Sequence, residues 1–173
     1  MWILALLIVF GIQLALSRIH VIGSLASLLL GPLFAVGLLA FAHDMASSGK
    51  ADIGKLFAGF KDKLGALLIL ALLYIAMILA VFVVGGILMF VMLGGTELLH
   101  VTDPGQAFQT LLADGDALGF LLVMLVMFAL FMLVATAYWY APALVFFANQ
   151  GAAAAMRHSF TASWQNWLPL LLL

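Results

Sequence analysis

The strongest constraint on this chain is a set of long apolar runs that hold no Asp, Glu, Lys or Arg. They cover residues 1–17, 21–42, 65–93 and 117–147, and another opens at 168–173. A transmembrane helix needs about 20 such residues. Only 8% of the 173 residues are charged and 68% are hydrophobic, against about a quarter charged in a soluble domain. The bilayer is the solvent that this surface suits. The length allows one compact domain, so the expected fold is an all-α, polytopic transmembrane helical bundle of about five spans.

Several spans carry irregularities. The first is slightly short and includes Gln13, and it reads as a span rather than a cleaved leader because no basic n-region or small-residue cleavage site accompanies it. Gly31-Pro32 interrupts the second, where a kink is expected. The third is longer than a bilayer requires, so it must tilt, or bend near Gly85-Gly86. The fourth is also long, with Pro142 near its end. The run 168–173 stops after a turn or two, so the chain is expected to be a fragment at one or both ends.

Loop charge orients the bundle. Lys50, Lys55, Lys61 and Lys63 lie between spans two and three, and Arg157 follows span four. Glu97, Asp103, Asp114 and Asp116 lie between spans three and four, with no Lys or Arg among them; Arg18 sits in the first turn. The positive-inside rule puts the lysine-rich side, and with it the N-terminus, in the cytoplasm. The basic residues are too few and scattered for a nucleic-acid partner. With no cysteine, disulfides, thiolate metal sites and cysteine nucleophiles are excluded.

Two cytoplasmic segments read as interfacial amphipathic helices. Ile53, Leu56, Phe57, Phe60 and Leu64 line one face of the first, with Lys55, Lys61 and Asp62 elsewhere. Met156, Phe160, Trp164 and Trp167 line the second, with Arg157, His158, Thr161 and Gln165 away from them. The segments match at an offset of 103: Ile53 with Met156, Lys55 with His158, Phe57 with Phe160, Leu64 with Trp167. A duplicated unit and coincidence both account for this, since Pro32 and Pro142 do not share the offset. On the outer side, Asp103-Pro104-Gly105-Gln106 predicts a short capped helix whose Phe108, Leu111 and Leu112 rest on the bilayer, and Asp116 is a plausible N-cap for span four.

The stretches Tyr138-Trp139-Tyr140-Ala141-Pro142-Ala143-Leu144-Val145, Ala155-Met156-Arg157-His158-Ser159-Phe160, Trp164-Gln165-Asn166-Trp167-Leu168-Pro169 and Leu56-Phe57-Ala58-Gly59-Phe60 resemble a family of uncharacterised proteobacterial inner-membrane proteins. That family is similar to the membrane domain attached to some glycerophosphodiester phosphodiesterases. The resemblance covers most of the chain and implies a bacterial inner-membrane location, an earlier cytoplasmic start and a sixth span. It brings no catalytic residues, and the phosphodiesterase catalytic domain is absent from this sequence.

The spans' lack of ionisable groups argues against a coupled pump. Gln13, Ser24, Ser27, Tyr74 and Thr136 suit hydrogen bonds between helices, worth about 0.6 kcal/mol each. Gly23, Ser27, Gly31 and Ala35 form a small-residue ladder that lets helices approach closely, within the chain or against another protein. Tyr138, Trp139 and Tyr140 suit an aromatic belt; the sharper reading is a lipid-headgroup pocket closed by Pro142 with Arg157 and His158. Phe57, Phe60, Lys61 and Trp164 complete the residues expected to meet lipid or a partner. Glu97, His100 and Asp103 lack a second histidine, so no metal site is expected. His43-Asp44 reads as a solvated cap. No serine or threonine has a readable base, no phosphate loop is present, and no cofactor is expected. The leading expectation is therefore a non-catalytic scaffold or accessory subunit that binds membrane lipids, another membrane protein or a second copy of itself. The alternative is a facilitator or transporter of a lipid or small apolar solute, using a groove between the duplicated units.

Overall fold

A computed structural model describes residues 2–18, 20–49, 52–92 and 117–166. The described residues form helices joined by short turns, with no strand among them. The helices are α1 (Trp2–Ser17), α2 (His20–Ser48), a 3-10 turn (Ile53–Phe57), α3 (Ala58–Asp62), α4 (Leu64–Met92), α5 (Ala117–Trp139), α6 (Ala141–Phe147) and α7 (Ala152–Gln165). Three stretches are long and apolar enough to cross a membrane: Ala26–Ser48, Leu64–Val91 and Leu118–Phe147. The apolar part of α1, Ile3–Ala15, is shorter than the ~20 residues of a full span. The expected fifth span at 168–173, Trp167, Lys50, and the outer loop with its short helix, Asp116 cap and Glu97, His100 and Asp103 lie outside the described residues.

Contacts divide the chain into two compact units, Met1–Ile75 with Thr136–Leu173, and Ala76–Ala135. In the second, α4 and α5 meet at Gly85, where a Cβ would fall 2.1 Å from the Met127 sulfur. Phe82 meets Phe131 edge to face with centroids 5.5 Å apart. Gly85 thus accommodates a neighbour's side chain, and α4 runs unbroken through Gly85-Gly86.

In the first unit, α2 continues through Pro32 and on to Ser48, past the boundary expected at Ala42. The extra turns carry their own polar satisfaction. The Ser47 and Ser48 hydroxyls donate to the Asp44 carbonyl at 3.3 and 2.8 Å. Gly49 then ends the helix at φ +67°, its N–H donating to the Met45 carbonyl, a left-handed C-terminal cap that glycine adopts without steric cost.

The Lys50–Lys63 segment differs from the continuous amphipathic helix expected of it. The Asp52 carboxylate accepts from the Gly54 N–H at 2.8 Å and starts a 3-10 turn; one turn of α-helix follows, and the chain breaks at Lys63. The cause is contact with α2. Leu56 is buried with Ala5 of α1 and Phe41 of α2, and Ile8, Leu38, Met45 and Ile53 close around them. A Cβ on Gly37 would fall 1.9 Å from the Leu56 carbonyl oxygen, and one on Gly59 2.7 Å from the Leu33 carbonyl oxygen. Two glycines, one from each side, bring backbone against backbone. In a bilayer such close approach replaces the hydrophobic drive that water would provide.

This contact lies on the far side of α2 from much of the small-residue ladder. Leu33, Gly37, Ala40 and Phe41 are buried, whereas Ala35 is exposed and a Cβ on Gly31 would meet nothing within 4 Å. At 3.6 residues per turn, these two groups face opposite ways. Gly23 is buried and Ser27 half-buried, so the ladder is not one continuous packing face.

Alanine at these glycines separates the two effects. Gly37→Ala and Gly59→Ala should each destabilise by roughly 1–3 kcal/mol through overpacking against a carbonyl. Gly31→Ala should be neutral or stabilise by up to about 1 kcal/mol through helix propensity. Unfolding midpoints in detergent test this, and equal midpoints for all three variants would show that the backbone contact does not hold this unit together.

Candidate functional site

The most irregular point in the described spans is the break between α5 and α6. Pro142 has no N–H to give the Tyr138 carbonyl and its ring crowds that carbonyl; the chain turns at Tyr140, and Pro142 sits in the first turn of α6. An intact helix would carry a bond from the Tyr140 N–H to the Thr136 carbonyl. Here the Ser159 hydroxyl of α7 stands between them: the Tyr140 N–H donates to Ser159 Oγ at 3.0 Å, and that hydroxyl donates to the Thr136 carbonyl at 2.9 Å. Ser163 Oγ donates to the same carbonyl at 3.3 Å. Ser159 is fully buried, and its one donor and one of its acceptor positions are used.

This stitch sets the face that α7 turns inward. Ala152, Ala155, Met156, Ser159 and Ser163 are buried, and all but Met156 are small. The large residues point out: Trp164 is 67% exposed and Phe160 36%, with their rings stacked at 6.1 Å.

The three consecutive aromatics diverge, as successive helical positions must. Tyr138 stacks on Tyr74 of α4 at 4.2 Å. Trp139 is 73% exposed. Tyr140 lines a cleft of about 380 Å³ with Ala143, Leu144, His158, Ala162 and Asn166. The pocket expected from all three aromatics with Arg157 therefore becomes a cleft in which Tyr140 and His158 meet, while Arg157 is exposed and not among its lining. His158 Nδ1 lies 2.8 Å from Gln150 Oε1. An amide oxygen can only accept, so Nδ1 carries the proton in this assignment. Pro142 is buried beneath.

Of the other expected contacts, Lys61 is exposed and Phe57 partly so. Phe57 lies 6.1 Å from Phe60, which is half-buried against Phe34, edge to face at 5.2 Å. His43-Asp44, expected as a solvated cap, lies within α2. With Lys55, Asp62, Phe146 and Phe147 it lines a second cleft of about 140 Å³. No group of three or more His, Cys, Asp or Glu suited to a metal ion occurs among the described residues.

The offset of 103 reappears in three dimensions. It carries Gly37 to Tyr140 and Leu56 to Ser159, and both pairs are in close contact. It carries Leu33, whose carbonyl abuts Gly59, to Thr136, whose carbonyl accepts from Ser159 and Ser163. Ala40 and Lys55 of the smaller cleft correspond to Ala143 and His158 of the larger. At both places, within the first compact unit, a short helical segment lies against a long helix at the same register. The two also touch through Lys63 Nζ, which donates to Asn149 Oδ1.

Residues 21–139 match the model of a family described as predicted integral membrane proteins, DUF2189. The match covers more than half of the chain, and the chain belongs to this family. No curated protein and no solved structure matches it.

Ser159 was not singled out by its sequence pattern. The one sequence signal was Pro142, which marks a helix break nearby without naming the group that takes the Tyr140 N–H. Ser159→Ala would leave a part-buried N–H without this acceptor and remove one donor from the Thr136 carbonyl, at a cost of about 1–3 kcal/mol. Ser163→Ala removes only a longer, shared bond and should cost less. The order of the two unfolding midpoints in detergent checks the stitch, and a Ser163→Ala variant less stable than Ser159→Ala would refute it.

Proposed function

We propose that this integral membrane protein is a non-catalytic scaffold or accessory subunit that works by binding other membrane components. The observation that carries this reading is the outward face of α7. A helix that buries alanine and serine while exposing Phe160 and Trp164 presents its largest apolar groups to something other than its own core. Exposed Trp139 at the end of α5 adds a further aromatic. Trp and Tyr favour the level of the headgroups, and aromatic anchors dominate protein interfaces, so this face suits contact at the membrane boundary.

The test is a Phe160→Ala/Trp164→Ala double variant purified from native membranes in mild detergent. It should fold, because neither residue fills the core, yet lose a stoichiometric partner that the unaltered chain retains. An unaltered chain that purifies as a lone protomer without a partner would defeat the scaffold reading.

A second reading, a facilitator of lipid or small apolar solute movement, is favoured by the broken helix at Tyr140 and by two clefts that share the offset-related pairs Ala40/Ala143 and Lys55/His158. Discontinuous helices between repeats are a common way to build a transport site. Transport by the lone protomer in reconstituted vesicles would promote it.

The same proposal includes a bacterial inner-membrane location with the lysine-bearing end in the cytoplasm. Lys61→Cys should resist an impermeant thiol reagent in intact cells, whereas Glu97→Cys should react. Labelling of Lys61→Cys from outside would reverse the orientation.

A further inference from the structure

The smaller cleft has a composition that its neighbour lacks. Asp44 near the end of α2, Lys55 of the 3-10 turn and Asp62 of α3 line it beside His43, with Phe146 and Phe147 of α6 as its apolar part. His43 and Phe147 are in ring contact at 5.8 Å. None of Asp44, Lys55 and Asp62 forms an ion pair with another described residue. The offset of 103 carries His43 to Phe146 and Asp44 to Phe147, so the cleft takes equivalent positions from both repeats. One repeat supplies an imidazole and a carboxylate there, and the other supplies two phenyl rings. Asp62 corresponds to Gln165, so the carboxylates belong to one repeat alone, and the cleft joins two negative charges, one positive charge and an aromatic wall.

Size restricts the occupant. About 140 Å³ is close to a cavity that holds one benzene, ~150 Å³, and well below the roughly 300–1,000 Å³ of drug-sized ligand sites. A small ligand that is itself zwitterionic satisfies both signs of charge. A primary ammonium donates three hydrogen bonds, which carboxylates accept and a phenyl face supports. A phosphate pairs with lysine. Lys61 and Lys63 follow Lys55 closely in sequence, between two apolar runs, a placement suited to the level of lipid headgroups.

We propose that this cleft binds the headgroup of an ethanolamine phospholipid, its ammonium between Asp44 and Asp62 and its phosphate at Lys55. This deepens the reading of a protein that binds membrane components by naming one of them. It uses residues separate from the Phe160 and Trp164 face, so the two are tested by different variants.

The probe is the full chain in detergent, offered equimolar palmitoyl-oleoyl phosphatidylethanolamine and phosphatidylcholine, with retained lipid read by native mass spectrometry. The ethanolamine lipid should be retained at least fivefold over the choline lipid, and Asp44→Asn/Asp62→Asn should bring the ratio close to one without loss of helicity. Should that variant not fold, the unaltered chain is offered the mono-, di- and trimethylated headgroups in series. Retention that falls with each methyl group supports the site, because each removes a donor. A flat series, or a preference that survives the double variant, overturns it. Free phosphoethanolamine that binds as tightly as the lipid would also overturn it, since the ligand would then be a dissolved solute. Loss of a protein partner on Phe160→Ala/Trp164→Ala with an unchanged lipid ratio leaves this site standing, and a lost lipid ratio with the partner retained removes this site alone.

Discussion

Backbone polar groups have no water to turn to inside a bilayer, and the irregular parts of this protein are arranged around that constraint. Straight helices meet it internally, as α4 does along its whole length. The exceptions lie where a short segment lies against a long helix. At Tyr140 the broken bond is relayed through a serine hydroxyl. At Gly49 it is closed by a left-handed turn. At Asp52 a carboxylate accepts the Gly54 N–H of the 3-10 turn. No described buried side-chain nitrogen or oxygen is left without a partner. The long helices supply apolar surface, and these few polar devices decide where the chain turns.

The two covered helices solve one packing problem in different ways. In the first, glycines let Leu56 and Gly59 reach the backbone of α2, and the contact is steric. In the second, tyrosine replaces Gly37 and serine replaces Leu56, and the contact is a hydrogen bond. A steric contact tolerates no Cβ, and a hydrogen-bonded one needs a hydroxyl at one position. The register is shared while the chemistry differs, and Pro32 and Pro142 do not share the offset. The clefts inherit the same divergence: similar positions, one apolar and one charged.

Much of the fold was legible because lipid solvation is written directly into composition. Residues 117–147 were read as one apolar run, and α5 with α6 fill that run; α1 and α4 agree with their expected bounds to within a residue or two. What was not legible depended on partners. The extension of α2 to Ser48 crosses polar residues whose hydroxyls turn back on the helix. The periodicity of Ile53, Leu56, Phe57 and Phe60 fits a helix, but it does not tell a continuous α-helix from the 3-10 turn and single α-turn that lie against α2. A ladder of small residues marks a helix as able to pack closely without saying which side does so, and here Gly37 outweighs Gly31 and Ala35. For the candidate site, Tyr140 and His158 were named in advance, whereas Ser159 and the placing of Asp44 and Asp62 along one cleft needed three dimensions.

The distribution of polarity limits what recognition this protein can perform. In an apolar 18-residue window of Leu118–Phe147, 11% is buried, and 22% in that of Leu64–Val91, against 39% in that of Ala26–Ser48. The first two therefore offer little but shape and dispersion to whatever surrounds them, and dispersion discriminates weakly between one acyl chain and another. Selective contacts require groups whose pairing fails with the wrong partner. In the first unit those groups are the ones at its charged end: the carboxylates, lysines and imidazoles of the two clefts and the aromatic face of α7. A membrane component that is distinguished by its headgroup, or a protein that presents a complementary surface at the same level, can be chosen there.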